Sequence, residues 1–255
     1  MVEYNWTNVS KVIKAEVITL QSGLTRLLDQ QLQGIYLHGS LALGGFQPAR
    51  SDINIIAVVT GEIDSALKAE LVTLLLLVSN RPRPIDIYVV TEKALFPFQP
   101  SVSFAFRYNE QLRYPPQHAI PDAHVDPDLT IFLTVAQRCG VVLAGKPVEE
   151  TIPSIPEATF RGALARSLQA AQAQLPQDPI AFILNASRTI AYLQDGTILS
   201  KDAGGAWGLQ HVPEQFHALI QQALALYKGE QLKRPVGRAV LDAFSAYVND
   251  TRRLG

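Results

Sequence analysis

Apolar positions between Asn8 and Gln33 recur at intervals of three and four: Val9, Val12, Ile13, Val17, Leu20, Leu24, Leu27 and Leu28. That spacing predicts an amphipathic helix with Ser10 as its cap and Gly34 at its end. The pattern then shortens. Ile35 to His38 reads as a strand, Ile53 to Val59 as a β-branched buried strand and Ile85 to Val90 as a third, with a helix over Asp64 to Val78 between the last two. The third strand is entered through the turn Arg81-Pro82-Arg83-Pro84.

Glu92 to Asp128 carries many prolines and aromatics and reads as a long loop, a class that is often functional. Beyond it the chain reads as helices: Leu129 to Leu143, Pro156 to Gln174, Pro179 to Leu193, Lys201 to Leu209, Pro213 to Tyr227 and Pro235 to Val248. Several open with proline, which the first turn of a helix accepts. The expected fold is α+β: residues 1–152 as a mixed β-sheet with flanking helices, and residues 153–255 as an all-helical domain. A cleft between two such domains is a favoured place for a ligand.

Composition narrows the partners. Lys and Arg number 22 against 23 for Asp and Glu, so nothing argues for nucleic acid. The longest apolar run, Leu71 to Val78, is far too short to span a bilayer, and the N-terminus lacks the pattern of a signal peptide. Cys139 is the one cysteine, which excludes an intrachain disulfide, and it is expected to be a buried structural thiol. The five histidines, His38, His118, His124, His211 and His217, show no metal-ligand spacing. A cytoplasmic monomer with no membrane partner is the expectation.

The chemistry sits on the strands of the first half. Gly39-Ser40 follows the first strand, where glycine allows close approach of backbone to a phosphate and serine adds a donor. On its own this is an ordinary turn. In Ser51-Asp52-Ile53-Asn54, positions 52 and 54 share one face of a strand, and two oxygen ligands at that spacing suit a hard cation such as Mg²⁺. Asp86 lies between Ile85 and Ile87, where a carboxylate needs a partner, a metal or a role as general base. Together the three are far more specific than any one of them.

The combination resembles the nucleotidyltransferase superfamily, whose motif is a hydrophobic residue with Gly-Gly or Gly-Ser, then Asp-h-[Asp/Glu], then a third acidic residue. More narrowly it resembles the streptomycin/spectinomycin (aminoglycoside) adenylyltransferases. YLHGSLALGGFQPARSDINIIAVV carries the first motif, and DLTIFLT, LAGKPVEE, LNASRTIAYLQDGTILSKDAGGAW and ALALYKGE extend the likeness along the helical half. The resemblance implies an N-terminal nucleotidyltransferase domain. It implies transfer of AMP from ATP, with Mg²⁺, to a hydroxyl of an aminoglycoside or aminocyclitol antibiotic, and so antibiotic resistance.

By the same resemblance Asp52, Asn54 and Asp86 would hold metal, with Asp86 and Asp52 catalytic. Gly39, Ser40, Ser51, Asp128, Arg188, Lys201 and Tyr227 would contact the nucleotide, and Asp178 and Asp86 would face the drug. Ordinary roles stand beside these: Arg188 and Lys201 as solvated helix faces, Tyr227 as core, Asp178 as a helix cap and Trp207 as packing. Three departures fall on the chemistry. Asn54 replaces a carboxylate, Asp86 is one methylene shorter than the usual Glu, and the stretch Phe104 to Asn109 lacks the tryptophan of streptomycin-modifying members. Spectinomycin is therefore favoured over streptomycin. The alternative is a nucleotide-binding protein whose catalysis Asn54 has weakened.

Overall fold

The computed structural model describes residues 4–113, 125–175, 177–230 and 237–253. The chain divides into two compact units, residues 1–160 and 161–255. Among the described residues no helix is long and apolar enough to cross a membrane.

The first unit runs α1 (Lys11–Leu28), β1 (Leu32–His38), α2 (Ser40–Leu43), β2 (Ile53–Val59), α3 (Ser65–Val78), β3 (Ile85–Thr91), α4 (Glu92–Leu95), β4 (Phe106–Tyr108), α5 (Leu129–Cys139), β5 (Val141–Gly145) and α6 (Val148–Thr151). The strands form one mixed sheet in the order β4-β3-β2-β1-β5. β2 and β3 are parallel, joined through α3, and the other pairs are antiparallel.

Caps set the helix starts. The Ser10 hydroxyl accepts from Ile13 N–H at 3.5 Å, and Asp64 accepts from Leu67 N–H at 2.8 Å. Alternation sorts the strands: Ile35, Leu37, Ile53, Ile55, Ile85 and Ile87 join the core beneath α1 and α3. The alternate positions face the other way, where Phe132 of α5 meets the rings of His38 and Tyr88. With both faces covered, β1 to β3 read as nearly continuous apolar runs.

Three readings of the pattern need correction. The first helix stops at Leu28, where Asp29 takes a positive φ of 41°, and Gly34 lies inside β1 instead of capping the helix. Predicted helix Leu129–Leu143 ends at Cys139, and Val141–Gly145 leaves it to pair with β1 as an edge strand. A short β-branched apolar run fits either element, and here the free edge of β1 wins. The Glu92–Asp128 loop holds α4 and the strand β4, which three residues with a polar Arg107 in the middle did not announce. Cys139 is only half-buried, and burial pushes its thiol above the usual range.

The second unit holds most of α7 (Glu157–Ala173), then α8 (Pro179–Asp195), α9 (Lys201–His211), α10 (His217–Tyr227) and α11 (Arg238–Arg253). Its core gathers Leu168, Phe182, Leu184, Ile190, Phe216, Ile220 and Phe244. α9 seats closely on α8: a Cβ at Gly204 would stand 2.8 Å from the Arg188 Cα, so only glycine fits. The fold is thus α+β, a mixed sheet with helices in the first unit and helices alone in the second.

Glu16 shows how the third strand is delivered. It is 4% exposed, and its carboxylate accepts the backbone N–H groups of Arg81 at 2.9 Å and Arg83 at 3.0 Å. Burial raises its pKa and those two donors oppose the rise. Glu16→Ala would strand both donors, a loss of about 2–4 kcal/mol. Denaturant unfolding should show that loss, while Glu16→Gln, which keeps one acceptor oxygen, should retain much of the stability.

Candidate active site

One end of the sheet collects the chemistry. His38 at the end of β1 pairs in register with Asn54 on β2, and Asn54 pairs with Asp86 on β3. The three side chains therefore form a row across adjacent strands on one face. Gly39 turns the chain at the head of this row with φ 69° and ψ −151°. A Cβ there would lie 2.5 Å from the Asn54 amide oxygen, so Gly39 is required both by its backbone angle and by the side chain above it. Ser40 opens the single turn α2. Asp52 is exposed just ahead of β2, two residues before Asn54. Ser51 is different: its hydroxyl accepts from Gln47 N–H at 2.9 Å and its carbonyl from the Arg83 guanidinium at 2.9 Å, so it braces the approach to Asp52.

Asp86 is the unusual group. Its Oδ1 is buried with no hydrogen-bond partner. Burial pushes its pKa up to about 6; Arg107 pulls it down, and Asp52 and Asp126 add to the rise. Behind it stands a network that sequence reasoning missed. Tyr88 donates to Asp126 Oδ2 at 2.6 Å, and Arg107 pairs with the same oxygen while its guanidinium lies 4.7 Å from the Tyr88 ring centre. The Asp128 N–H closes on Asp126 Oδ1 at 2.8 Å at the start of α5. Burial and the bond to Asp126 hold the Tyr88 phenol well above its usual range, so it stays a donor. The faint signal was the pair Asp126 and Asp128 flanking one proline.

The second unit brings some of the expected residues together. Lys201 opens α9 with its ammonium 6.0 Å from the Tyr227 ring at the end of α10. Gly204, one turn on, meets the backbone of Arg188. Asp178 caps α8, accepting from Ala181 N–H at 2.9 Å. Trp207 donates to Asp195 at 2.6 Å and stacks on His211. His118 and His124 lie outside the described residues. Among the described residues no cluster of three or more His, Cys, Asp and Glu side chains is placed to hold a metal. The row contains one carboxylate, one amide and one imidazole, with the Asp52 carboxylate just ahead of it.

Residues 150–251 match the family model "aminoglycoside adenylyltransferase, C-terminal domain". The spectinomycin 9-adenylyltransferase of Campylobacter jejuni is 30% identical over 209 residues, 80% of this chain and 81% of that protein. The chain belongs to the aminoglycoside adenylyltransferase family. It is by family a nucleotidyltransferase. An aminoglycoside (3'') (9) adenylyltransferase of Escherichia coli is 27% identical over 252 residues, 93% of this chain and 95% of that one. The fold of this family member is that of a spectinomycin adenyltransferase from Enterococcus faecialis, solved with ATP and spectinomycin. The TM-score is 0.83 and identity 24%, over 94% of this chain and 99% of that one.

His38 gives a test of the row. It is 3% exposed, and burial lowers its pKa from 6.5 to about 3, so it stays neutral in the fold. A depressed pKa contributes stability that is present above pH 6.5 and is lost as pH falls toward 3. The slope is roughly 1.4 kcal/mol per pH unit in that window. Melting curves at pH 7.5 and 5.0 should show a clear loss on acidification in the wild type. His38→Asn should flatten the difference; an unchanged difference contradicts the assignment.

Proposed function

We propose that the protein transfers AMP from ATP to a hydroxyl of an aminocyclitol, with spectinomycin preferred to streptomycin. The observation that carries this is the end of the sheet: the Gly39-Ser40 turn, Asp52 just ahead of β2 and Asn54 on it, and on β3 the Asp86 carboxyl with one oxygen buried. Phosphoryl-type transfer needs positioning and charge neutralisation more than covalent help. The preference for spectinomycin is supported by the relative named for it and by Phe104 to Asn109, which contains no tryptophan.

Asp86 is the general base. A carboxyl with pKa about 6 is mostly ionised at neutral pH and basic enough to take a hydroxyl proton. The acceptor oxygen then forms its bond to the α-phosphorus, pyrophosphate departs, and Asp86 keeps the proton. Gly39 lets the chain approach the phosphates, and Ser40 donates to them. Arg188, Lys201 and Tyr227 contact the nucleotide, Asp128 orients it or braces the site, and Asp178 faces the drug.

The donor set fits Mg²⁺. Asp52 and Asn54 offer oxygens at the spacing of one strand face, with Asp86 beside them and the Asn54 amide oxygen held over the Gly39 turn. When bound, the ion would neutralise the triphosphate. We read the protein as a cytoplasmic monomer.

Asn54 supports a second reading, a protein that binds ATP but transfers AMP poorly, because an amide ligates without contributing charge. One assay separates the two. With ATP, Mg²⁺ and spectinomycin, the wild type should release pyrophosphate, and streptomycin should give far less. Asp86→Asn should lower turnover by about 10²–10⁴-fold. Asn54→Asp should lower the Mg²⁺ concentration needed for half-maximal rate. A wild type that binds ATP yet is inert, with turnover restored in Asn54→Asp, would establish the second reading.

A further inference from the structure

Two buried polar atoms on one face of the sheet lack hydrogen-bond partners, and they are complementary. Oδ1 of Asp86 is an acceptor without a donor; Nε of Arg107 is a donor without an acceptor. Arg107 sits opposite Tyr88 across the β3–β4 pair, and Asp86 is two residues before Tyr88 on the same face. Diagonal neighbours at that spacing are within reach of a long side chain.

The rest of the guanidinium is committed. Nη1 pairs with Asp126 Oδ2, which also takes the Tyr88 hydroxyl at 2.6 Å, and the Tyr88 ring supports the guanidinium plane. The other Asp126 oxygen is held by the Asp128 N–H at 2.8 Å. With the fork tied on one side and stacked on another, Nε–H is the buried donor left unused on the face that carries Asp86. The two groups also attract: the Arg107 charge pulls against the burial of Asp86. Leaving a donor and an acceptor both buried and unmade is costly, and one bond, direct or through a water, removes both penalties.

We propose that Arg107 is a positioning residue for the transfer: its Nε–H engages Oδ1 of Asp86, directly or through one water, and fixes the plane of the carboxyl so that Oδ2 faces the reacting hydroxyl. Asp126 and Tyr88 act one step behind, by holding Arg107. The inference rests on the reading of Asp86 as the base of an adenylyltransferase.

A role confined to tying β4 and the start of α5 to β3 makes a different prediction. Arg107→Lys is the first variant, since it keeps the charge beside Asp126 but removes the fork and its Nε–H. Asp126→Asn is the second, since it keeps Arg107 but loosens its anchor. Both are assayed as full-length protein with spectinomycin, ATP and Mg²⁺. The readouts are kcat, the KM for spectinomycin, the Kd for ATP by calorimetry and the melting temperature.

Arg107→Lys is expected to lose about 10–100-fold in kcat, the scale of a misplaced reacting group. Its Kd for ATP should stay within about twofold and its melting temperature near that of the wild type, with Asp126→Asn intermediate. A kcat like that of the wild type in Arg107→Lys overturns the inference alone. So does a loss that follows ATP affinity or melting temperature in both variants. No AMP transfer by the wild type to any aminocyclitol overturns the proposed function, and the role of Arg107 with it.

Discussion

Parallel pairing of β2 with β3 sets Asn54 opposite Asp86, and antiparallel pairing of β1 with β2 sets His38 opposite Asn54. Everything polar at this end of the sheet depends on that register. A slip of one residue in β2 would turn Asn54 into the core and bring Ile53 to the site face. The opposite face prevents it: Ile53, Ile55, Ala57 and Val59 are all buried against α1 and α3. The hydrophobic face therefore holds the register, and the register holds the site. Glu16 extends the same constraint to the entry of β3 by tying down the Arg81–Arg83 turn from α1.

Burial on the site face creates the chemistry and also a difficulty. A carboxyl taken out of water rises in pKa, which makes Asp86 a better base but less fully charged. Arg107 offsets this from behind, and Asp126 keeps Arg107 from being an uncompensated buried charge. Tyr88 completes the set by donating to Asp126 and offering its ring to the guanidinium. In the proposed reaction, Asp86, Arg107 and Asp126 form a carboxylate–guanidinium–carboxylate set across β3, β4 and the approach to α5 that poises the base.

Much of this is legible in the sequence. The order helix, strand, turn, strand, helix, strand follows from periodicity; Gly39, Asn54 and Asp86 stand out because each interrupts or ends an apolar run, and Asp52 because it stands two residues ahead of Asn54. What stayed hidden had physical reasons. β5 is a five-residue run whose composition suits a helix as well as a strand, and only the open edge of β1 decides between them. β4 has three residues, too few for alternation to register. Arg107 and Asp126 are 19 positions apart and meet only because β4 pairs with β3, so no local pattern joins them. The resemblance implies a nucleotide contact for Ser51, and the bond its hydroxyl accepts from the Gln47 N–H is one that no local pattern announces.

The amide at position 54 acts on both halves of the site. A carboxylate there would strengthen the hold on a cation. It would also place another negative charge directly across β2–β3 from Asp86, whose pKa is already raised by Asp52 and Asp126. Without a cation that repulsion would push Asp86 further toward its protonated, unreactive form. With one, the ion's charge would outweigh it. In the proposed reaction Asn54 therefore exchanges cation affinity for a base that depends less on the cation to stay ionised. The steric setting permits either side chain, since the carboxylate and the amide have the same shape over Gly39. The choice at this position is one of charge and of the amide's N–H donors, not of shape.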